Sequence, residues 1–247
     1  ALEHLNRHDI STTLVVTVKK GLNDGELGEI IDFALTQPCV RGVTFQPIQA
    51  AGRLDGYDPE HNRLTLSEVR RRILEQSPLF RADDLIPVPC NPDCLAMAYA
   101  LKVGDQVVPL TRFVSPEALV SKGRNTIVVE RDEELRAHVF ELFATNHSPE
   151  SQACSLSDLL CCLPQVQAPS ELGYRNVFRI LIMQFIDAHG FDLRAVKKSC
   201  VHIAQPDGRI IPFDTFNLFY RDDKAATLAK LRREIEQSRM HEEQPHE

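Results

Sequence analysis

The spacing of apolar positions changes character along the chain. Residues 11–18, STTLVVTV, are a β-branched apolar run of strand length. Lys19-Lys20-Gly21-Leu22-Asn23-Asp24-Gly25 is turn chemistry. From Glu26 to Thr36 the apolar residues Leu27, Ile30, Ile31, Ala34 and Leu35 recur at helical spacing. Residues 42–48, GVTFQPI, predict a second buried strand, closed by Ala51-Gly52-Arg53. Strand, helix and strand in so short a span predict a βαβ unit with a parallel sheet. Ser67 is the expected cap of a helix over 68–76. The opening ALEHLNRHD, with Ala1, Leu2 and Leu5 apolar, reads as the end of a helix whose start precedes the sequence.

Beyond residue 77 the pattern shortens. Residues 78–94 are proline-rich. Residues 98–113 predict a β-hairpin turning at Gly104-Asp105, and residues 200–220 predict a second one turning at Pro206-Asp207-Gly208. Helices are expected over 133–143 and 157–163, and an apolar helix over 176–188. In the charged segment after Asp222, Leu228, Leu231 and Ile235 share one helical face, as in a solvated amphipathic helix. The expected division is 1–76, 77–222 and a tail at 223–247.

Composition narrows the function. The 247 residues, 43% hydrophobic, suffice for a full-sized core. A net charge of −7 argues against nucleic acid as the main partner, because phosphate binding needs a concentrated basic surface. No apolar run reaches the roughly 18 residues of a membrane span, and the N-terminus lacks signal-peptide order. A cytoplasmic protein is expected. Seven cysteines without a secretion signal favour reduced thiols or metal ligands over a disulfide framework.

The cysteines carry the chemistry. PVPCNPDC sets Cys90 and Cys94 in a loop stiffened by Pro87, Pro89 and Pro92. Cys161 and Cys162 precede Pro164, and Cys200 opens the second hairpin. Thiolates gathered from a local pair and distant segments suit an iron–sulfur cluster, and zinc is the alternative. Adjacent helical residues point about 100° apart, so Cys161 and Cys162 do not both reach one ion. Cys39 and Cys154 stand alone and read as buried small hydrophobes. His202 is either a ligand or acid/base group, or an ordinary strand histidine. Asp214 and Asn217, polar among Phe213, Phe216, Phe219 and Tyr220, mark either a pocket face or a half-buried strand. GxGxxG, GxxxxGK[ST], HExxH and GxSxG are all absent.

Taken as long strings, TLVVTVKKGLNDGELGEIIDFAL and VRGVTFQPIQAAGR resemble the late barrel strands of radical S-adenosylmethionine (radical SAM) enzymes, in the group that includes a pterin methylase and tetraether lipid synthase. PVPCNPDC, NHSPES, LLCCLP and KKSCVHIAQPDGRIIPFDTFNLFYR are similar to the C-terminal part of the same group. The resemblance implies an α/β fold: a partial (β/α) radical SAM barrel over 1–76, then an α+β iron–sulfur-binding extension over 77–222. It implies an auxiliary [4Fe-4S] cluster on Cys90, Cys94 and Cys200 with Cys161 or Cys162. It also implies that Asn23, Asp24, Gln46 and Pro47 lie near S-adenosylmethionine. The family's CxxxCxxC is absent, since Met97 stands where Cys90-x3-Cys94 would need its third cysteine. The resemblance therefore implies the C-terminal half of a methylase-like enzyme acting on a small molecule or lipid. S-adenosylmethionine would bind only when the missing N-terminal half or a partner subunit completes it. A cluster- or zinc-binding module serving a partner, without catalysis of its own, is the alternative.

Overall fold

The computed structural model describes residues 1–51, 56–88, 91–103, 106–112, 174–199 and 201–221, with 226 and 233. The helices expected at 133–143 and 157–163, the tail from 223 apart from 226 and 233, and Cys90, Cys154, Cys161, Cys162 and Cys200 lie outside the described residues. Two compact units form, Ala1–Gln49 with Asp58–Phe185 and Ala50–Tyr57 with Ile186–Glu247. Among the described residues no helix is long and apolar enough to cross a membrane.

The first unit is α/β with a mixed sheet. After α1 (Leu2–Arg7), β1 (Thr12–Val18), α2 (Leu27–Thr36) and β2 (Val40–Pro47) make the expected parallel βαβ unit. Helix α2 buries Leu27, Gly28, Ile31 and Ala34, the stripe that its spacing predicts. A short α3 (Pro59–Asn62) leads into α4 (Leu66–Gln76). The cap of α4 is Thr65, not Ser67. Thr65 accepts from the Glu68 backbone N–H while the Glu68 carboxylate accepts from Thr65 N–H, a reciprocal capping box two residues earlier than expected.

Next come β3 (Ile86–Pro87), β4 (Leu95–Val103), β5 (Gln106–Pro109) and β6 (Val177–Met183), in the spatial order β1-β2-β6-β4-β3, with β5 also on β4. The first expected hairpin forms, with Val103 opposite Gln106. The helix expected over 176–188 does not form: its first half is strand β6. VFRILIM is apolar at nearly every position, a run that periodicity cannot divide between a buried helix and a strand buried on both faces. β6 lies parallel to β2 and antiparallel to β4, and Phe178, Ile180 and Ile182 are fully buried. With Val43, Phe45, Ala96, Ala98, Ile31 and Ile73 they form the core beneath α2 and α4.

The second unit contains α5 (Leu193–Val196), β7 (His202–Ala204), β8 (Ile210–Pro212) and α6 (Phe213–Thr215), which runs into a π-helical turn at Phe216–Tyr220. β7 and β8 pair antiparallel across the expected turn, where Gly208 has φ +83°. The second hairpin ends at Pro212, eight residues short of the expected boundary. Pro212 caps a helical segment instead, because its fixed φ suits a helix entry and it has no N–H for a continuing ladder.

At Gly42 the β2–β6 pair leaves no room for a side chain. A Cβ built there would lie 2.3 Å from the Arg179 carbonyl oxygen across the β2–β6 pair. Gly42→Ala is expected to destabilise the protein by about 1–3 kcal/mol through overpacking against backbone. Urea unfolding reads this, and an unchanged midpoint would disprove the β2–β6 register.

Candidate functional site

β1, β2 and β6 run parallel, so their carboxyl ends open on one side of the sheet, where α/β folds place ligands. The loop after β1 is held by its own side chains. Asn23 Oδ1 accepts from Lys19 N at 2.9 Å and its Nδ2 donates to Thr17 O at 2.9 Å. Asp24, nearly buried, accepts from Gly21 N at 2.7 Å through Oδ1. Its Oδ2 lies 2.8 Å from Arg72 Nη2. Gln76 of α4 donates to the Asp24 carbonyl at 2.8 Å and accepts from Gly28 N at 3.2 Å. Both side chains thus shape the loop.

At the end of β2, Pro47 is buried, and Gln46 Nε2 stands 3.9 Å from Met183 Sδ at the end of β6. Three residues further, Gln49 Nε2 donates to Pro47 O at 3.3 Å. Its Oε1 is buried without a hydrogen-bond partner among the described residues. Gln184 closes the row, accepting from Leu66 N through Oε1. Sequence reasoning missed Gln49 and Gln184. The repeat of glutamine in QPIQ was the available signal for the first, and the helical reading of 176–188 hid the second. Together these residues offer amides and a thioether, suited to holding a polar organic molecule by hydrogen bonds and dispersion.

Cys94 reaches the same end of the sheet. Val88 N donates to Leu95 O at 2.9 Å, which closes the loop between β3 and β4, and Gln184 N donates to Cys94 O at 2.8 Å. Leu95 pairs with Met183. Cys94 is 8% exposed, and Cys39 is a fully buried core thiol. The other proposed ligands Cys90, Cys161, Cys162 and Cys200 lie outside the described residues. Among the described residues no three His, Cys, Asp or Glu side chains gather as a metal site.

In the second unit Asp214 and Asn217 are buried on the helical segment, not on a hairpin strand. Asp214 Oδ1 accepts from Ile186 N at 2.7 Å, and Ser199 Oγ lies 3.5 Å from Oδ2. Burial pushes its carboxyl above the usual range, against those hydrogen bonds. Asn217 accepts from Arg221 at 3.3 Å, and His202 is exposed on β7.

This is an α/β protein whose candidate ligand groups collect at the carboxyl ends of parallel strands. No protein-family model matches it. It is 29% identical to the 7,8-dihydro-6-hydroxymethylpterin dimethyltransferase of Methanocaldococcus jannaschii, over 86% of this chain and 49% of that protein. The chain thus spans about half the length of the curated relative it matches.

Asp24→Ala strips a part-buried guanidinium of its carboxylate and frees Gly21 N. The expected cost is about 2 kcal/mol. Arg72→Ala in that background should add little, and additive losses in a double-mutant cycle would refute the coupling. Asp214 gives a pH signature. A carboxyl with a raised folded pKa stabilises the fold while protonated, and that contribution disappears as pH rises through the folded value. Relative to Asp214→Asn, the wild type should lose stability as pH climbs above 3.8, the ordinary Asp value. Parallel stability curves would contradict this.

Proposed function

We propose that the chain belongs to a radical SAM methylase-like enzyme acting on a small molecule, and that this part of it binds an auxiliary iron–sulfur centre. The observation that carries the reading is the similarity to a pterin dimethyltransferase over 86% of the chain. The parallel β1-α2-β2 unit is compatible with part of a (β/α) barrel. On this reading 1–76 supplies barrel strands, 77–222 the cluster-binding extension and 223–247 a helical tail.

Groups suited to S-adenosylmethionine stand at the carboxyl ends of β2 and β6, and Cys94 is the one member of the proposed cluster set among the described residues. Gln46 and Gln49, whose buried Oε1 has no hydrogen-bond partner among the described residues, suit the polar part of S-adenosylmethionine, with Pro47 as apolar wall. Asn23 and Asp24 hold the loop beside them in one conformation. Cys94, with Cys90, Cys200 and one of Cys161 and Cys162, would hold the auxiliary centre. A bound centre supplies electron transfer or a coordination site next to the substrate. Cys94 is suited to a protected ligand, since its thiol is nearly excluded from water and its carbonyl is tied to Gln184.

Anaerobic purification is expected to give a brown protein with iron and acid-labile sulfide. Cys94→Ala should lose most of the iron and weaken folding with it. Cys39→Ala should keep the iron and cost about 1 kcal/mol of packing. Iron and sulfide analysis with EPR decides. A colourless protein holding stoichiometric zinc, or full iron in Cys94→Ala, would refute the assignment.

A further inference from the structure

The second unit carries a groove of about 460 Å³, within the roughly 300–1,000 Å³ of small-molecule sites. Its walls are apolar, built from Val196 of α5, Ile211 and Pro212 of β8 and Phe219 of the π-helical turn. Three polar side chains line it. The Thr215 hydroxyl is taken up by the Pro212 carbonyl at 2.8 Å. Arg209 and Tyr220 remain, with the guanidinium carbon 5.9 Å from the centre of the phenol ring.

Arg209 is fixed from one side. Asp207 Oδ1 accepts from Arg209 N at 3.1 Å and Oδ2 from its Nε at 2.7 Å. Engaging Nε leaves the Nη1 and Nη2 edge, the pair of parallel donors that matches a carboxylate bidentately. The Arg209 side chain makes no other hydrogen bond among the described residues. An oriented guanidinium on an aromatic ring at an apolar slot defines a ligand with an apolar body and one anionic end.

We propose that this groove binds a small apolar molecule bearing a single carboxylate or similar anion, with the anion on Arg209 and the body along Ile211, Pro212 and Phe219. Iron plays no part in it, so it stands apart from the cluster reading. The slot is of small-molecule size, and Arg209, the one cation lining it among the described residues, selects the sign of the ligand.

Calorimetric titration of the full chain with octanoate, octanol and octylamine tests this. Octanoate should bind saturably at one site, at least fivefold tighter than octanol, with octylamine weakest. Arg209→Gln should bring octanoate down to the octanol level. Asp207→Asn, which removes a competing carboxylate and keeps the turn acceptor, should tighten octanoate. Ile210 also lines the groove and is 70% exposed, so Ile210→Glu should keep the fold and repel the anion. Equal affinity for the three probes, a preference that survives Arg209→Gln, or octanoate binding unchanged in Ile210→Glu would each overturn the proposal.

Discussion

The first unit depends on β6 being buried on both faces. It is the seam at which the sheet changes from parallel to antiparallel, with β2 on one side and β4 on the other. A seam strand has no solvent face, so every position must be apolar or find a partner. Arg179 is the exception in VFRILIM, and its register partner on β2 is Gly42, where an added Cβ would meet the Arg179 carbonyl. Its cross-strand neighbour on β4 is Tyr99, hydrogen-bonded to it and with a phenol pushed up to about 12 by burial. A neutral phenol and a cation can share that space, where two charged groups of the same sign would not.

A second constraint is the loop after β1. Its side chains are spent on geometry: Asn23 stitches the loop to the strand it leaves, and Asp24 ties it to Arg72 of α4. A loop with its polar side chains occupied in this way offers a ligand its backbone and its shape. Gln46 and Gln49, on the next strand and just after it, remain as side chains able to contact one. Residues that family resemblance groups together as cofactor neighbours therefore divide into two physical roles.

Much of the fold was legible because local chemistry agreed with tertiary structure. The β1-α2-β2 unit follows from a β-branched run, a helical stripe and turn residues, and the β7–β8 turn follows from Pro206-Asp207-Gly208. The failures have separate causes. Residues 177–183 are an apolar run without a clean period, and burial on both sides removes the alternation from which a strand or helix is read. Residues 213–220 bury Asp214, Asn217 and Leu218 at helical spacing, a pattern hidden by the half-buried aromatics between them. Thr65 outcompetes Ser67 as the cap because Glu68 lies three residues after it. The site was legible only as residue types. Cys94, Gln46 and Gln184 are far apart in sequence, and nothing in their spacing announces that they meet.

What brings them together is strand direction. The loop that precedes β4 would arrive at the opposite end of the sheet if β4 ran parallel to β6, about 20 Å away for a pairing of this length. Because β4 runs antiparallel, its entrance lies beside the exit of β6, with Leu95 opposite Met183. Cys94 is thereby delivered to the end where β1 and β2 also finish, through a connection as short as the β3–β4 turn. Antiparallel strands can thus place a thiol beside the carboxyl ends of parallel strands without a long crossover. The Gln184 N–H on the Cys94 carbonyl fixes that arrangement at the point where the two parts of the sheet meet.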